Sequence, residues 1–404
     1  MRIKISQVAL AAGAAWLALA GAGQAQDAGA IHRRALVLDS HADILLPSSD
    51  SRYLGKDGQS YTSLDKLQAG GVDALVYAVA VSTGERTPAA YAAAAKEADA
   101  KLAAIQALPA QSNGRIEIAR TPADVQRIVG AGKVAVLVGF QNAYALGDDL
   151  SAFDRFYAGG VTVAALDHAG NNAFADSSRP KAGTGAEHGG LSPLGKAAVA
   201  RFNDLGVLID VSQLTQEGVL QTVALSRAPV AATHSDVRSL VDSTRNLSDA
   251  EIDAIAKAGG VIQVTPFNSY LVPEPAGYGT ALRDLRTAYG LDPAVKSYAG
   301  SEKLDPKRRE AFLAAYRDLY PKADVKALVD HIDYVAKRVG VDHVGIGTDF
   351  NHGSGITGFA DASQAGNVTA ELVRRGYSEA DIEKIWGGNF LRVLGAAQAA
   401  AKPS

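Results

Sequence analysis

The segment LVLDSHADILLP, Leu36 to Pro47, runs an apolar stretch into three polar groups at alternate positions, Asp39, His41 and Asp43. Alternate residues of a strand share a face. Three groups that water would normally solvate therefore point one way at the end of a buried-type strand. Leaving them unpaired would cost on the order of a few kcal/mol each. A cation gripped by His41 and Asp43, two residues apart on one face, offsets the carboxylate charge.

Working outward, similar apolar runs recur at Ala35–His41, Val72–Val81, Val134–Phe140, Val161–Leu166, Gly206–Ser212, Pro229–Thr233, Gly260–Thr265 and His343–Thr348. Helical patterns separate them. SDAEIDAIAKAGG is one, with Ser248 and Glu251 at capping-box spacing and Gly259 as the stop. About eight strands alternating with helices predict an α/β fold, a (β/α)8 TIM-type barrel, with a doubly wound open sheet as the alternative. The polar, Tyr- and Pro-rich stretch at about 268–324 is longer than a βα connection and reads as a helical insertion between strands 7 and 8.

Composition narrows the partners. The chain has 404 residues, is 47% hydrophobic and 21% charged, and carries a net charge of −3. That balance gives no reason to expect nucleic acid or an anionic membrane. With no cysteine, disulfides and thiolate metal sites are excluded. Arg2 and Lys4 precede an apolar run from Val8 to Ala22, followed by Gly23 and Ala25, which reads as a cleavable signal peptide over residues 1–25. The expectation is an exported, periplasmic protein with no membrane span after cleavage. One barrel domain occupies 26–398, and 399–404 form a tail.

In such a barrel the C-terminal strand ends carry the chemistry. His41 and Asp43 fall there, as do Gln141 and Asn142, Asp167 and His168, Asp210 with Gln213, His234, and Asp349. Several His and Asp residues on different strands of one barrel favour a shared divalent ion. His352 is close enough to Asp349 for a rim contact. His188, His331 and His343 look like loop or structural residues.

The strings LDSHAD, LDHAGNNAFADSS, ATHSDVRSLVDSTRNLSD, HIDYVAKRVGVDHVGIGTDFNHG and IWGGNFLRVL occur in that order. Together they resemble the membrane (renal-type) dipeptidases, peptidase family M19, from about Ile31 to Leu394. The resemblance implies two zinc ions bridged by hydroxide, hydrolysis of dipeptides, and a homodimer in many members. It implies His41 and Asp43 as ligands of the first metal and His234 as a ligand of the second. Asp349 would handle the proton, His168 would stabilise the tetrahedral intermediate, and Arg245 would pair with the substrate's terminal carboxylate.

Two positions depart from the family pattern. Gln141 stands where a Glu would bridge both metals, and Gln213 stands where a His would bind the second. A bridging carboxylate offsets the repulsion of two dications about 3.5–4 Å apart. At an effective dielectric near 20, a unit charge at contact is worth a few kcal/mol. A neutral amide supplies little of this. The expectation is one zinc ion at His41, Asp43 and Asp349, with Gln141 as a weak helper and Gln213 a doubtful ligand. The functions compatible with this are a dipeptidase, a single-metal hydrolase of another small amide, ester or lactone, and an inactive dipeptide-binding homologue.

Overall fold

The computed structural model describes residues 27–181, 184–320 and 322–402. The segment read as a signal peptide, 1–25, lies outside the described residues. Nine strands follow in chain order: β1 (Leu38–Asp43), β2 (Ala74–Ala80), β3 (Ile116–Ile118), β4 (Val134–Gln141), β5 (Val161–Ala165), β6 (Leu208–Asp210), β7 (Ala231–Ala232), β8 (Val261–Val264) and β9 (Val344–Ile346). Every pairing between them is parallel, in the order β1-β2-β4-β5-β6-β7-β8-β9. The ends of this path meet through Asp349 N donating to His41 O at 2.7 Å and Asp43 N donating to Phe350 O at 3.0 Å. The eight strands thus form the nearly closed (β/α)8 barrel.

β3 is the strand that the apolar runs do not reveal. It has three residues with Glu117 in the middle, and it pairs only with β4 outside the barrel path. The eight barrel strands are buried throughout, as expected when helices cover the outside and side chains fill the inside.

The C-terminal helix Asn389–Ala399 packs Phe390, Val393 and Leu394 with Leu38, Ala74, Leu208 and Val261, the first residues of their strands. This closes the N-terminal end of the barrel and leaves the other end as the mouth. Near the mouth the wall is tight at Gly347. A Cβ there would lie 1.9 Å from Thr233 O and 2.4 Å from Ser40 Oγ. Only glycine lets β9 approach closely enough to bring Asp349 beside β1.

Between β8 and β9 the chain runs through helices Asn268–Leu271, Tyr278–Ala288 and Pro306–Asp318 before the long helix Val325–Val339. This excursion packs on the loop after β1. Arg309 pairs with Asp50 at 2.6 Å, and the Arg52 guanidinium lies between the rings of Tyr53 and Tyr298, 4.5 and 4.6 Å from their centroids.

His331, on the long helix, is structural. Its Nδ1 accepts from Val237 N at 3.0 Å, and its Nε2 lies 3.3 Å from Leu271 O. Both bonds suit the neutral ring, and burial pushes its pKa down from 6.5 to about 4. The unfolded chain therefore takes up a proton that the folded chain refuses until about pH 4, and stability falls as pH drops through this window. Thermal melting at pH 7 and pH 5 should show a larger loss for the wild type than for His331→Gln; equal losses would contradict the buried neutral ring.

Candidate metal centre

The backbone bonds that join β9 to β1 bring His41, Asp43 and Asp349 together. His41 Nε2 lies 3.8 Å from Asp43 Oδ1 and 3.9 Å from Asp349 Oδ1. These distances are too long for hydrogen bonds. All three residues are buried, and neither His41 Nε2 nor Asp43 Oδ1 has a hydrogen-bond partner. One potential ligand atom from each lies within 4.8 Å of the others. A partnerless imidazole nitrogen and carboxylate oxygens converging in a buried site fit a single divalent ion.

Asp39 takes no part, although it shares the strand. It accepts from the Thr348 hydroxyl at 2.5 Å, from Thr348 N at 2.8 Å and from His41 N at 3.1 Å. Burial still pushes its carboxyl up to about 7. Hydroxyl and amide donors compensate this group, not a cation.

The Thr233 hydroxyl organises the neighbouring side. It donates to Asp210 Oδ2 at 2.6 Å, so its lone pairs face His234 Nδ1 at 2.8 Å and His41 Nδ1 at 3.3 Å. The two imidazole rings stack with centroids 3.8 Å apart. This arrangement puts the N–H of each ring on Nδ1 and leaves both Nε2 atoms with lone pairs. The lone pair of His41 faces the two carboxylates. That of His234 lies 3.2 Å from Gln141 Nε2 and 3.3 Å from Gln213 Nε2, two amide donors. His41, Asp210 and His234 also offer atoms within 4.8 Å of one another, but the Thr233 oxygen is bonded to all three. The donor set on this side is satisfied without an ion. Burial, then the nearby His41 and Arg245, hold the His234 pKa far below its ordinary value.

Around this centre, His352 Nδ1 bonds Asp43 Oδ2 at 2.8 Å, and its ring meets that of His168 edge-on at 5.0 Å. Burial opposes ionisation of Asp43, but His352 and His41 outweigh it and hold the carboxyl below its usual range. Burial raises the Asp349 pKa, aided by repulsion from Asp43. His168 is kept neutral by burial, with His352 and Arg179 adding to the effect. Arg245 is buried, donates to His234 O at 2.6 Å and Ser235 Oγ at 3.1 Å, and lies 5.5 Å from the Tyr270 ring centroid. Its Nε has no partner.

All eight residues singled out in the sequence, His41, Asp43, Gln141, His168, Gln213, His234, Arg245 and Asp349, are buried. Direct contacts knit Gln141, Gln213, His234 and Arg245 together. His168 reaches the carboxylates through His352, which is more central than a rim contact. Thr233 and Arg179 were not foreseen. Thr233 precedes His234 and reads as an ordinary strand residue. Arg179 lies in a loop with no pattern to mark it. Gln213 (φ 74°) and Asp349 (φ 54°) both adopt a backbone conformation unusual for side chains of this kind, a strain frequent at functional sites.

Known proteins resemble the chain over most of its length. The chain is 40% identical to the probable dipeptidase PvdM from Pseudomonas aeruginosa, whose crystal structure superposes with a TM-score of 0.81 over 93% of this chain and 98% of that one. A crystal structure of a metallo peptidase from Rhodobacter sphaeroides, 23% identical, shares the fold at a TM-score of 0.69 over 89% of this chain and 99% of that one. Among curated proteins, dipeptidase tcpJ of Claviceps purpurea is 29% identical over 84% of this chain and 70% of its own length. Dipeptidase ataJ of Aspergillus terreus is 31% identical over 69% of this chain and 61% of its own length. The family model for membrane dipeptidase (peptidase family M19) matches residues 25–404, and the chain belongs to that family.

Proposed function

We propose that this protein is an exported metal-dependent hydrolase that cleaves the amide bond of a dipeptide or a comparable small amide, using one zinc ion held by His41, Asp43 and Asp349. The observation that carries this reading is the pair of buried, partnerless atoms, His41 Nε2 and Asp43 Oδ1, facing Asp349 at the mouth of the barrel. Membership of the membrane dipeptidase family supports the substrate class. One imidazole and two carboxylates, without thiolate, suit a borderline ion such as zinc. When bound, such an ion lowers the pKa of water towards about 7 and polarises a carbonyl.

The chain's own residues do the rest. Asp349, facing His41 Nε2 across the site, is placed for its carboxylate to take the proton of the attacking water and return it to the leaving amine nitrogen. Neutral His168 offers an N–H to the developing oxyanion. Arg245, pinned through two of its nitrogens, presents its remaining N–H groups to the substrate carboxylate. The buried cleft strengthens each of these interactions by excluding water.

A second reading is a protein that holds a dipeptide without cleaving it. Two observations favour it. The amides of Gln141 and Gln213 already satisfy His234 Nε2, and His352 already partners Asp43. Metal content and turnover separate the two readings. One zinc per chain, with dipeptide hydrolysis lowered about a hundredfold or more in Asp349→Asn, supports the hydrolase. Absence of turnover across a dipeptide panel, with binding intact, supports the second.

The carboxylate role of Arg245 has its own test. Wild type should prefer a dipeptide over its C-terminal amide, and Arg245→Lys, which loses the planar fork, should shrink that preference at least about tenfold, or about 1.4 kcal/mol. An unchanged preference would remove Arg245 from the substrate site. For export, the charged start, the apolar run Val8–Ala22 and the small residues Gly23 and Ala25 support cleavage after Ala25. Mass spectrometry of periplasmic protein should find Gln26 as the first residue; a chain retaining Met1 would contradict this.

A further inference from the structure

Arg179 is a guanidinium in an unusual setting. It comes from the loop after β5, donates from Nη2 to Gln213 Oε1 at 2.5 Å and from Nη1 to Tyr270 OH at 3.2 Å, and its Nε is buried without a partner. Among the described residues it forms no ion pair within 4.0 Å, and its charge reaches the buried Asp167 carboxyl only at longer range. A guanidinium does not shed its proton to escape such a place.

Its contact with Gln213 has two consequences. By taking Oε1, it turns the amide so that the Nε2 end faces His234 Nε2 at 3.3 Å. An amide nitrogen carrying two hydrogens has no lone pair for a metal. The guanidinium also places a permanent positive charge one amide group away from the space between Gln141, Gln213 and His234. The nearest carboxylate on that side, Asp210, is engaged by the Thr233 hydroxyl at 2.6 Å and by the backbone N–H groups of Ser212 and Thr233 at 2.9 and 3.0 Å. With its oxygens already holding these three hydrogen bonds, Asp210 is poorly placed to act as a ligand for a further dication.

We propose that Arg179 stands in for the second cation, and that its fixed charge closes the His234 side of the cleft to a metal ion. The closure then has two layers: lost ligand charge at Gln141 and Gln213, and added positive charge at Arg179. Restoring the ligands alone is insufficient. The inference takes its baseline from the reading that His41, Asp43 and Asp349 bind one ion, but it is read from a difference between variants.

The experiment measures zinc per chain by mass spectrometry after gel filtration in buffered Zn2+, with folding checked by thermal melting. Full-length Gln141→Glu/Gln213→His should hold no more zinc than wild type. Adding Arg179→Met should raise the content by one ion per chain. Adding Arg179→Lys instead, which keeps the charge, should leave the second ion bound at least about tenfold more weakly than in the Met variant. If the Met variant does not fold, Arg179→Gln in the same background is read in its place. A gain of one zinc in the double variant with Arg179 intact overturns the inference, as does a folded, charge-free triple variant without a gain. A wild type that binds no zinc counts against the proposed metal centre, whereas the step from double to triple variant still reports on Arg179.

Discussion

A carboxylate at the end of a buried parallel strand must find positive charge or hydrogen-bond donors, because the barrel wall cannot solvate it. This chain solves the problem in different ways within one cleft. Asp39 is satisfied by Thr348 and backbone N–H groups. Asp210 is satisfied by Thr233 and two backbone N–H groups. Asp43 is only half satisfied: His352 takes one oxygen and the other has no partner. The unmet valences of Asp43 and His41, opposite Asp349, are what the proposed cation would satisfy.

The Thr233 hydroxyl then separates the fates of two stacked imidazoles. Both turn Nδ1 towards the same oxygen, and both present Nε2 to the cleft. His41 Nε2 meets carboxylates and has no donor. His234 Nε2 meets two amide N–H groups. The same orienting device therefore leaves one ring with a free lone pair facing carboxylates and makes the other a hydrogen-bond acceptor. The difference lies in what Gln141 and Gln213 can offer. Arg179 reinforces it by fixing the amide of Gln213.

Much of this was legible because barrel chemistry collects at strand ends and strands announce themselves as apolar runs. His41, Asp43, His234 and Asp349 all follow such runs directly. β3 was not legible, since a three-residue strand with a central Glu carries no run. What compensates Asp39 was not legible, because its main donor, Thr348, lies at the far end of the chain and reaches β1 only when the barrel closes. Thr233 and Arg179 were invisible for a similar reason: their roles come from the partners the fold delivers, not from their own neighbours in sequence. His352 looked like a rim residue from its position just after Asp349, yet the turn there swings its ring onto Asp43.

The central claim is that His41, Asp43 and Asp349 together hold a divalent cation. Anomalous diffraction at the zinc edge, from crystals grown in zinc-supplemented buffer, tests it most directly. The account predicts one strong peak in the cleft, within coordination distance of His41 Nε2, Asp43 Oδ1 and Asp349 Oδ1. A cleft without a peak, or a second peak of equal strength beside His234, would contradict it.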